Sequence, residues 1–326
     1  MSELTPGTGL ADDYWKNYLR PDEVEEVLAT ISHTMVPSGG LPIAVRAYVH
    51  DRPAPTILMA QGLLIHGLAL SKFHLVFYRA GFNVFNIDLP GFGLSGGKRG
   101  DPTIPQLIQM WKDVKAFAVR ELGDGGRPFF TAATAEDSVT SYYAFADDPD
   151  IQAMSLHCLL EYGDIENLYF AGNRVKVRLM MIGARLGKVL HLDVPYDAEK
   201  AVPWDDIIAP HEETYKHDPL VLPHYGIKLA ASMSTRLRPP VRFEDCRKPI
   251  QMIASEKSKM WPVSHNRKEF ERLGSEKKEF VLLEGAPQWS LKDDYVRDYT
   301  ENVIRWFREN GAATDRAAQA ETGARG

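Results

Sequence analysis

One stretch decides the fold of this chain: Phe82-Asn83-Val84-Phe85-Asn86-Ile87-Asp88-Leu89-Pro90-Gly91-Phe92-Gly93-Leu94-Ser95-Gly96-Gly97. Its first part is rich in apolar and β-branched residues, which predicts a buried strand that ends at Asp88. The glycines that follow allow the backbone to turn sharply off the strand end, because they tolerate positive φ. The stretch therefore marks the carboxyl end of one sheet strand, and the other elements can be located relative to it.

Strands and helices alternate on both sides of this turn. Two extended runs, His33–Val36 and Ile43–Val49, are separated by Ser38-Gly39-Gly40 and predict a hairpin. Further strands are predicted at Thr56–Met59, Asn83–Ile87, Phe129–Ala132, Ala153–Leu156, Ile250–Ala254 and Glu279–Leu283. Helices are predicted at Leu70–Ala80, Ile104–Leu122, Ser138–Ala146, Val263–Leu273 and Tyr295–Asn310. This order predicts an α/β fold, with a mostly parallel twisted sheet covered by helices on both faces.

The alternation is interrupted at both ends and once in the middle. Residues 1–31 form a predicted N-terminal helical segment, with helical spacing over Leu10–Ile31. Residues 32–158 and 246–310 form the predicted core, and residues 159–245 a predicted helical cap with an apolar run at Val177–Leu190. Residues 311–326 lack hydrophobic periodicity, which predicts a disordered tail.

Composition narrows the class of protein. The 326 residues are 44% hydrophobic and carry a net charge of -6 with no basic stripe, which argues against a nucleic-acid partner. Cys158 and Cys246 show no metal-ligand spacing and indicate a reducing compartment. No apolar stretch approaches the ~20 residues of a membrane span, and no secretion signal precedes the core. We expect a cytoplasmic protein without metal or cofactor that binds an apolar small molecule; a homo-oligomer is compatible with the sequence.

The stretch from Asp88 to Ser95 resembles the Asp-x-Pro-Gly-x-Gly-x-Ser turn of the α/β-hydrolase superfamily, in particular its lysophospholipase and monoacylglycerol-lipase-like branch. The resemblance extends from about Pro42 to Asn310 and is weakest in the predicted cap. It implies an α/β-hydrolase fold with an inserted cap, and a site crevice at the carboxyl ends of the strands. It also implies a serine nucleophile, an acid and a histidine at three loops.

At these three loops the chain departs from the family pattern. Ala135 stands at the nucleophile position within Ala133-Thr134-Ala135-Glu136-Asp137, and Ser258, counted back from Pro262, stands at the acid position. Gln288 stands at the histidine position. Alanine has no nucleophilic atom, and neither serine nor glutamine exchanges a proton near neutral pH. The resemblance thus implies a hydrolase frame whose three triad positions are substituted.

Two acidic residues follow the predicted nucleophile position. Asp137 replaces the second glycine of the family motif and is expected to crowd the turn, so writing the triad back is not expected to restore a good hydrolase. Glu136 has two interpretations. It is either a first-turn acid stabilised by the helix dipole, or a carboxylate beside the old nucleophile position that serves as an acid–base group.

Further site residues are predicted from position. Gln61, Gly62 and Leu63 follow a strand where relatives have the loop that donates an oxyanion-hole amide, and a register shift would place His66 there instead. The predicted pocket residues are Tyr162, His211, Trp261 and Trp289. Each of these has an ordinary packing role as its alternative.

Three functions are compatible with this pattern. The favoured one is a non-hydrolytic enzyme that performs cyclisation, conjugate addition or another carbon–carbon bond-forming step on a polycyclic or polyketide-like molecule of secondary metabolism. In it Gln288 positions the substrate through hydrogen bonds, and Glu136 is the candidate acid–base group. The alternatives are a catalytically silent small-molecule receptor and a hydrolase with relocated catalytic residues. Fold alone does not decide among them.

Overall fold

The computed structural model describes residues 14–62, 65–163, 182–183, 185–186, 196–197, 217–222, 224–258 and 261–323. Most of the predicted cap, including nearly all of Val177–Leu190, lies outside this part of the chain. Leu63 and His211, two predicted site residues, also lie outside it.

An eight-stranded sheet forms the centre of the molecule. Its strands are β1 Ile31–Ser38, β2 Leu41–Tyr48, β3 Thr56–Ala60, β4 Asn83–Ile87, β5 Phe129–Ala133, β6 Ile151–Leu156, β9 Ile250–Ser255 and β10 Lys278–Leu283. Their order is β1-β2-β4-β3-β5-β6-β9-β10. β1 pairs antiparallel with β2 and β2 with β4, whereas the pairs from β4 to β10 are parallel. This confirms the predicted α/β fold with a mostly parallel sheet.

The first two strands form the predicted hairpin. They pair from Ile31 with Tyr48 to Ser38 with Leu41, so each strand is longer than its apolar run suggested. Gly39 and Gly40 make the turn at φ of 54° and 82°, a backbone region that favours glycine. A second, two-stranded sheet pairs β7 Tyr196–Asp197 with β8 His224–Tyr225 within the sequence range predicted as the cap.

Helices cover both faces of the sheet. They are α1 Pro21–Thr30, α2 Ser71–Arg79, α3 Ile104–Leu122, α4 Glu136–Phe145, α5 Ile227–Met233, α6 Val263–Arg272 and α7 Asp293–Gly323. The predicted N-terminal helix is instead split into a 3-10 turn at Tyr14–Asn17 and α1. The split falls before Pro21, which starts α1 because a proline fits the first helical position and disfavours helix in the residue before it.

The last helix is longer than the sequence indicated. A disordered tail was expected from residue 311, but α7 continues to Gly323. Residues 312–323 contain several alanines together with arginine and glutamate, which are good helix formers even without a hydrophobic face. Among the helices of the described ranges, none has the length and apolar character needed to cross a membrane.

The core consists of two apolar clusters, one on each face of the sheet. Leu58 belongs to one cluster, and its neighbours Ile57 and Met59 belong to the other. This is the alternation expected of a strand, whose successive side chains point to opposite faces. A strand buried on both sides reads as a continuous apolar run, which explains why β3 lacks polar alternation.

A buried ion pair holds the turn that identified the fold. Arg46 on β2 contacts the carboxylate of Asp88, and both side chains are almost completely buried. Asp88 also accepts hydrogen bonds from the backbone N–H groups of Gly67 and Leu94, each at 2.9 Å. Burial alone would raise the pKa of Asp88, but Arg46 and these donors hold it below its usual value. The carboxylate thereby ties two loops at the carboxyl ends of β3 and β4.

Candidate functional site

A strained turn joins β5 to α4 at Ala135. Its φ of 47° and ψ of -131° make it the single residue other than glycine with positive φ in the described part of the chain. Such a conformation costs on the order of 1–3 kcal/mol and persists where the surroundings impose it. The N–H of Ser138 donates to the Ala135 carbonyl oxygen at 3.0 Å, and the Cys158 thiol lies 3.1 Å from the same oxygen.

This turn forms with Asp137 in place. The Asp137 side chain is completely buried in the first turn of α4, and its N–H donates to the Thr134 carbonyl oxygen at 3.0 Å. The expectation that a side chain at this position would disturb the turn is therefore wrong, because the strained conformation is present at Ala135. The chain presents residue 135 at the tip of a sharp strand-to-helix turn.

Ser258 and Gln288 meet, although they come from the loops after β9 and β10. The Ser258 hydroxyl donates to Oε1 of Gln288, and the backbone N–H of Trp261 donates to Ser258 Oγ at 2.9 Å. Both side chains are buried. Because Oε1 already accepts a hydrogen bond, the amide N–H groups of Gln288 are the part of its side chain left to donate to another molecule. The pair is neutral and cannot relay a proton near neutral pH.

The loop after β3 passes beside the strained turn. Gln61 follows the strand directly and is buried; its amide donates to the Ile87 carbonyl oxygen and accepts from the Leu89 N–H at 3.1 Å. A methyl group on Gly62 would lie 3.6 Å from Cβ of Ala135, so this loop lies against the turn. Gly62 therefore lies beside Ala135, and Gln61 directly follows the strand; the oxyanion-hole role of this loop stays a prediction.

A group of titratable side chains surrounds the start of α4. Burial raises the pKa of Glu136 to about 7, and its own backbone N–H partly opposes the shift. Burial and the neighbouring Glu136 raise the pKa of Asp137 well above its usual value. Burial and these two carboxyl groups also raise the pKa values of Cys158 and Tyr162. A carboxyl group that titrates near neutrality can both accept and release protons at working pH.

Residues 51–287 match the family model described as serine aminopeptidase, S33 (Hydrolase_4). The chain belongs to this family. The match spans β3 to the loop after β10 and therefore includes the strained turn and the loops on either side of it. Residues before 51, which form the N-terminal turn, α1 and the hairpin, lie outside the match.

Solved structures of α/β-hydrolase proteins share the fold. A monoacylglycerol lipase from Paleococcus ferrophilus is 18% identical with a TM-score of 0.63, and the match covers 83% of this chain and 99% of that one. A soluble variant of monoglyceride lipase from Saccharomyces cerevisiae is 13% identical with a TM-score of 0.67, covering 86% and 94%. A carboxyl esterase from Bacillus coagulans is 15% identical with a TM-score of 0.65, covering 86% and 99%. No curated protein sequence is significantly similar to this family member.

The predicted pocket residues of this S33 family member are mostly packed in the core. Trp289 is 6% exposed and stacks on Phe73, with ring centroids 4.7 Å apart. Trp261 and Tyr162 are also buried and belong to the other core cluster. The Tyr162 hydroxyl and Nε1 of Trp289 have no hydrogen-bond partner among the described residues.

Two features of the site were not found from the sequence. The sequence used Cys158 only as an indication of a reducing compartment, yet its thiol contacts the Ala135 carbonyl oxygen at the strained turn. His66 contacts Asp218, and this contact was not predicted from the sequence. Among the described side chains, no group of three His, Cys, Asp or Glu residues could hold a metal ion. A small cleft of about 160 Å³ near α7 is lined by Glu284, Ser290, Asp294, Asp298 and neighbours, and no predicted site residue lines it.

Proposed function

We propose that this chain is a non-hydrolytic enzyme of the α/β-hydrolase fold, and that positions 135, 258 and 288 are those of a lost catalytic triad. The observation that carries the proposal is Ala135. Its backbone has the strained conformation that presents a nucleophile in this fold, although the Ala135 side chain has no atom that can attack. The neutral contact between Ser258 and Gln288 supports the same assignment, because an acid and a histidine would meet there.

Glu136 supplies the acid–base chemistry in this proposal. Its carboxyl group follows the strained turn directly and titrates near neutrality. As a base it removes a proton from a carbon next to a substrate carbonyl, and the resulting enolate attacks a second electrophilic carbon of the same molecule. The proton held by Glu136 then returns to the new alkoxide or enolate. No oxidant and no acyl-enzyme are required.

In this proposal the enolate oxygen is stabilised by the amide N–H groups of Gln288, whose Oε1 already accepts a hydrogen bond from Ser258. The proposed substrate is apolar and carries several carbonyl groups, such as a polyketide-like natural product, because the reaction needs both an acidic C–H next to a carbonyl and an electrophilic carbon. Without a nucleophile, an ester or lactone in that substrate remains intact.

Proton exchange on a carbon acid tests this proposal. Benzoylacetone is the probe, incubated in D₂O with the protein, and NMR follows loss of its α-proton signal. We expect the wild-type protein to accelerate exchange about 100-fold over buffer, with a rate that rises with pH through about 7 because Glu136 must be deprotonated. Glu136→Gln should lose the acceleration.

A matched control for this assay is Glu284→Gln, which changes a carboxyl group in the cleft near α7, away from the strained turn. It should leave exchange unchanged. Binding of benzoylacetone without accelerated exchange would favour the receptor alternative. Acceleration that survives Glu136→Gln would assign the base to another group.

The wild-type protein is expected to be inert toward p-nitrophenyl esters and fluorophosphonate probes. The reason is that Ala135 has no nucleophilic atom and that Gln288 cannot act as a general base. Burst kinetics with p-nitrophenyl acetate, or a covalent fluorophosphonate adduct found on any serine by mass spectrometry, would instead support a relocated hydrolytic site.

Gln288→Ala is expected to weaken the proposed reaction without unfolding the protein. Removing the amide leaves the substrate oxygen unpaired, which costs on the order of 1–3 kcal/mol in transition-state stabilisation. The exchange assay measures this loss. Gln251→Ala, which removes a buried glutamine that bonds Ser155 and Glu279 instead, should leave exchange unchanged. If Gln288→Ala exchanges the probe at the wild-type rate, Gln288 is not a positioning residue.

A further inference from the structure

One carboxylate oxygen contacts side chains from two other segments of the chain. Oδ2 of Asp218 accepts hydrogen bonds from the hydroxyl groups of Tyr14 and Tyr18, and lies 3.0 Å from Nε2 of His66. The Tyr14 hydroxyl is also 3.0 Å from the same His66 nitrogen. Oδ1 of Asp218 accepts the Leu220 N–H at 2.8 Å. We call Tyr14, Tyr18, His66 and Asp218 the Asp218 cluster.

The His66–Asp218 pair at the centre of the cluster is buried, unlike a surface ion pair, and Nδ1 of His66 has no hydrogen-bond partner among the described residues. The His66 side chain is completely buried, and its ring lies 6.0 Å from the Tyr14 ring and 6.1 Å from the Tyr18 ring, measured between centroids. Burial would raise the pKa of Asp218, but the hydrogen bonds from His66, Tyr14 and Tyr18 lower it to about 2. Burial and Asp218 raise the pKa values of both tyrosines, so their hydroxyl groups keep the protons that they donate.

His66 stands at one end of the loop that passes the strained turn. Gln61 anchors the other end through the backbone of Ile87 and Leu89. Between them, Gly62 lies against Ala135. The N–H of Ile65, next to His66, donates to the Gly62 carbonyl oxygen at 3.2 Å, so the position of Gly62 depends on the His66 side as well as on Gln61. Releasing His66 would leave this segment held by Gln61 and by the hydrogen bond from the Gly67 N–H to Asp88.

The two tyrosines that hold His66 belong to a segment outside the family match, which begins at residue 51. We propose that Tyr14 and Tyr18 are positioning residues of the site: through Asp218 and His66 they fix the loop after β3 against the turn at Ala135. The N-terminal segment is thus a structural part of the site. This inference concerns the geometry of the loop and holds whether the site catalyses a reaction or only binds a ligand.

Hydrogen–deuterium exchange on the full chain tests this inference. The variants are Asp218→Asn, Asp218→Ala and the double substitution Tyr14→Phe with Tyr18→Phe. We expect amides in residues 61–67 and 14–30 to exchange about tenfold faster in Asp218→Ala and in the double variant, because charge-assisted hydrogen bonds are lost. Asp218→Asn keeps an acceptor oxygen and should give a smaller increase. Amides of β5 and α4 should not change.

A control and a second measurement separate positioning from general stability. Tyr78→Phe removes a hydroxyl from a tyrosine on α2 that stacks on His50, outside the Asp218 cluster, and should not affect residues 61–67. In ¹⁵N-histidine NMR spectra, His66 should be the Nε2–H tautomer in the wild-type protein and lose this preference in Asp218→Ala. Two results would overturn the inference: faster exchange confined to residues 14–30, or an equal increase over the whole chain.

Discussion

The combined substitutions Ala135→Ser, Ser258→Asp and Gln288→His are expected to raise p-nitrophenyl acetate hydrolysis about 1,000-fold above the wild-type protein, since triad members act as a unit. The backbone at residue 135 already has the strained conformation that presents a nucleophile. The side chains at 258 and 288 already lie within hydrogen-bond distance. The structure therefore reverses the expectation from the sequence that Asp137 would prevent recovery.

A matched variant shows whether the new activity depends on the introduced nucleophile. Ser258→Asp with Gln288→His, in which Ala135 is unchanged, should remain at the wild-type level. Adding Glu136→Gln to the triple variant should raise its activity further, because a carboxylate beside the oxyanion site repels the tetrahedral intermediate. A triple variant that folds, as judged by circular dichroism, but stays at the wild-type level would contradict the assignment of the three positions.

Arg46→Met is expected to lower the free energy of unfolding by about 3–5 kcal/mol, because it leaves the buried Asp88 carboxylate without its partner. Both side chains of the pair are almost completely buried, and Asp88 also ties together the loops at Gly67 and Leu94. Urea unfolding at pH 7 measures the loss. Folding lowers the pKa of Asp88. The ion pair therefore stabilises the folded protein at pH values above the pKa of Asp88 in the unfolded chain, and this stabilisation is lost as the pH falls through the folded-state pKa.

The control for this measurement is Arg79→Met, which breaks an ion pair with Glu26 in which both side chains are substantially exposed. Exposed pairs contribute roughly 0–1 kcal/mol. A loss below about 1 kcal/mol in Arg46→Met would show that the Asp88 turn is held by its backbone hydrogen bonds alone.

The sequence predicted the bounds of some elements correctly and those of others incorrectly, and each outcome has a physical reason. β4 and α3 have the predicted bounds, since their apolar pattern and the turn residues beside them specify the same limits. The N-terminal segment differs from its prediction. Its helical spacing of apolar residues continues through Pro21, but a proline disfavours helical backbone in the residue before it, so the helix begins only at Pro21. α7 extends past Asn310, where the sequence predicted its end, because the residues that follow include several alanines together with arginine and glutamate, which have high helix propensity.

The sequence by itself determined the chemistry of three side chains. Ala135 has no nucleophilic atom, Ser258 is not an anion, and Gln288 is not a base near neutral pH, whatever surrounds them. Only the tertiary structure decided which residues meet. It brought Ser258 to Gln288 and brought Tyr14 to Asp218, 204 positions away. It also raises the pKa values of Glu136 and Asp137, because a carboxyl pKa depends on burial and on neighbouring charges, and neither can be read from the order of residues.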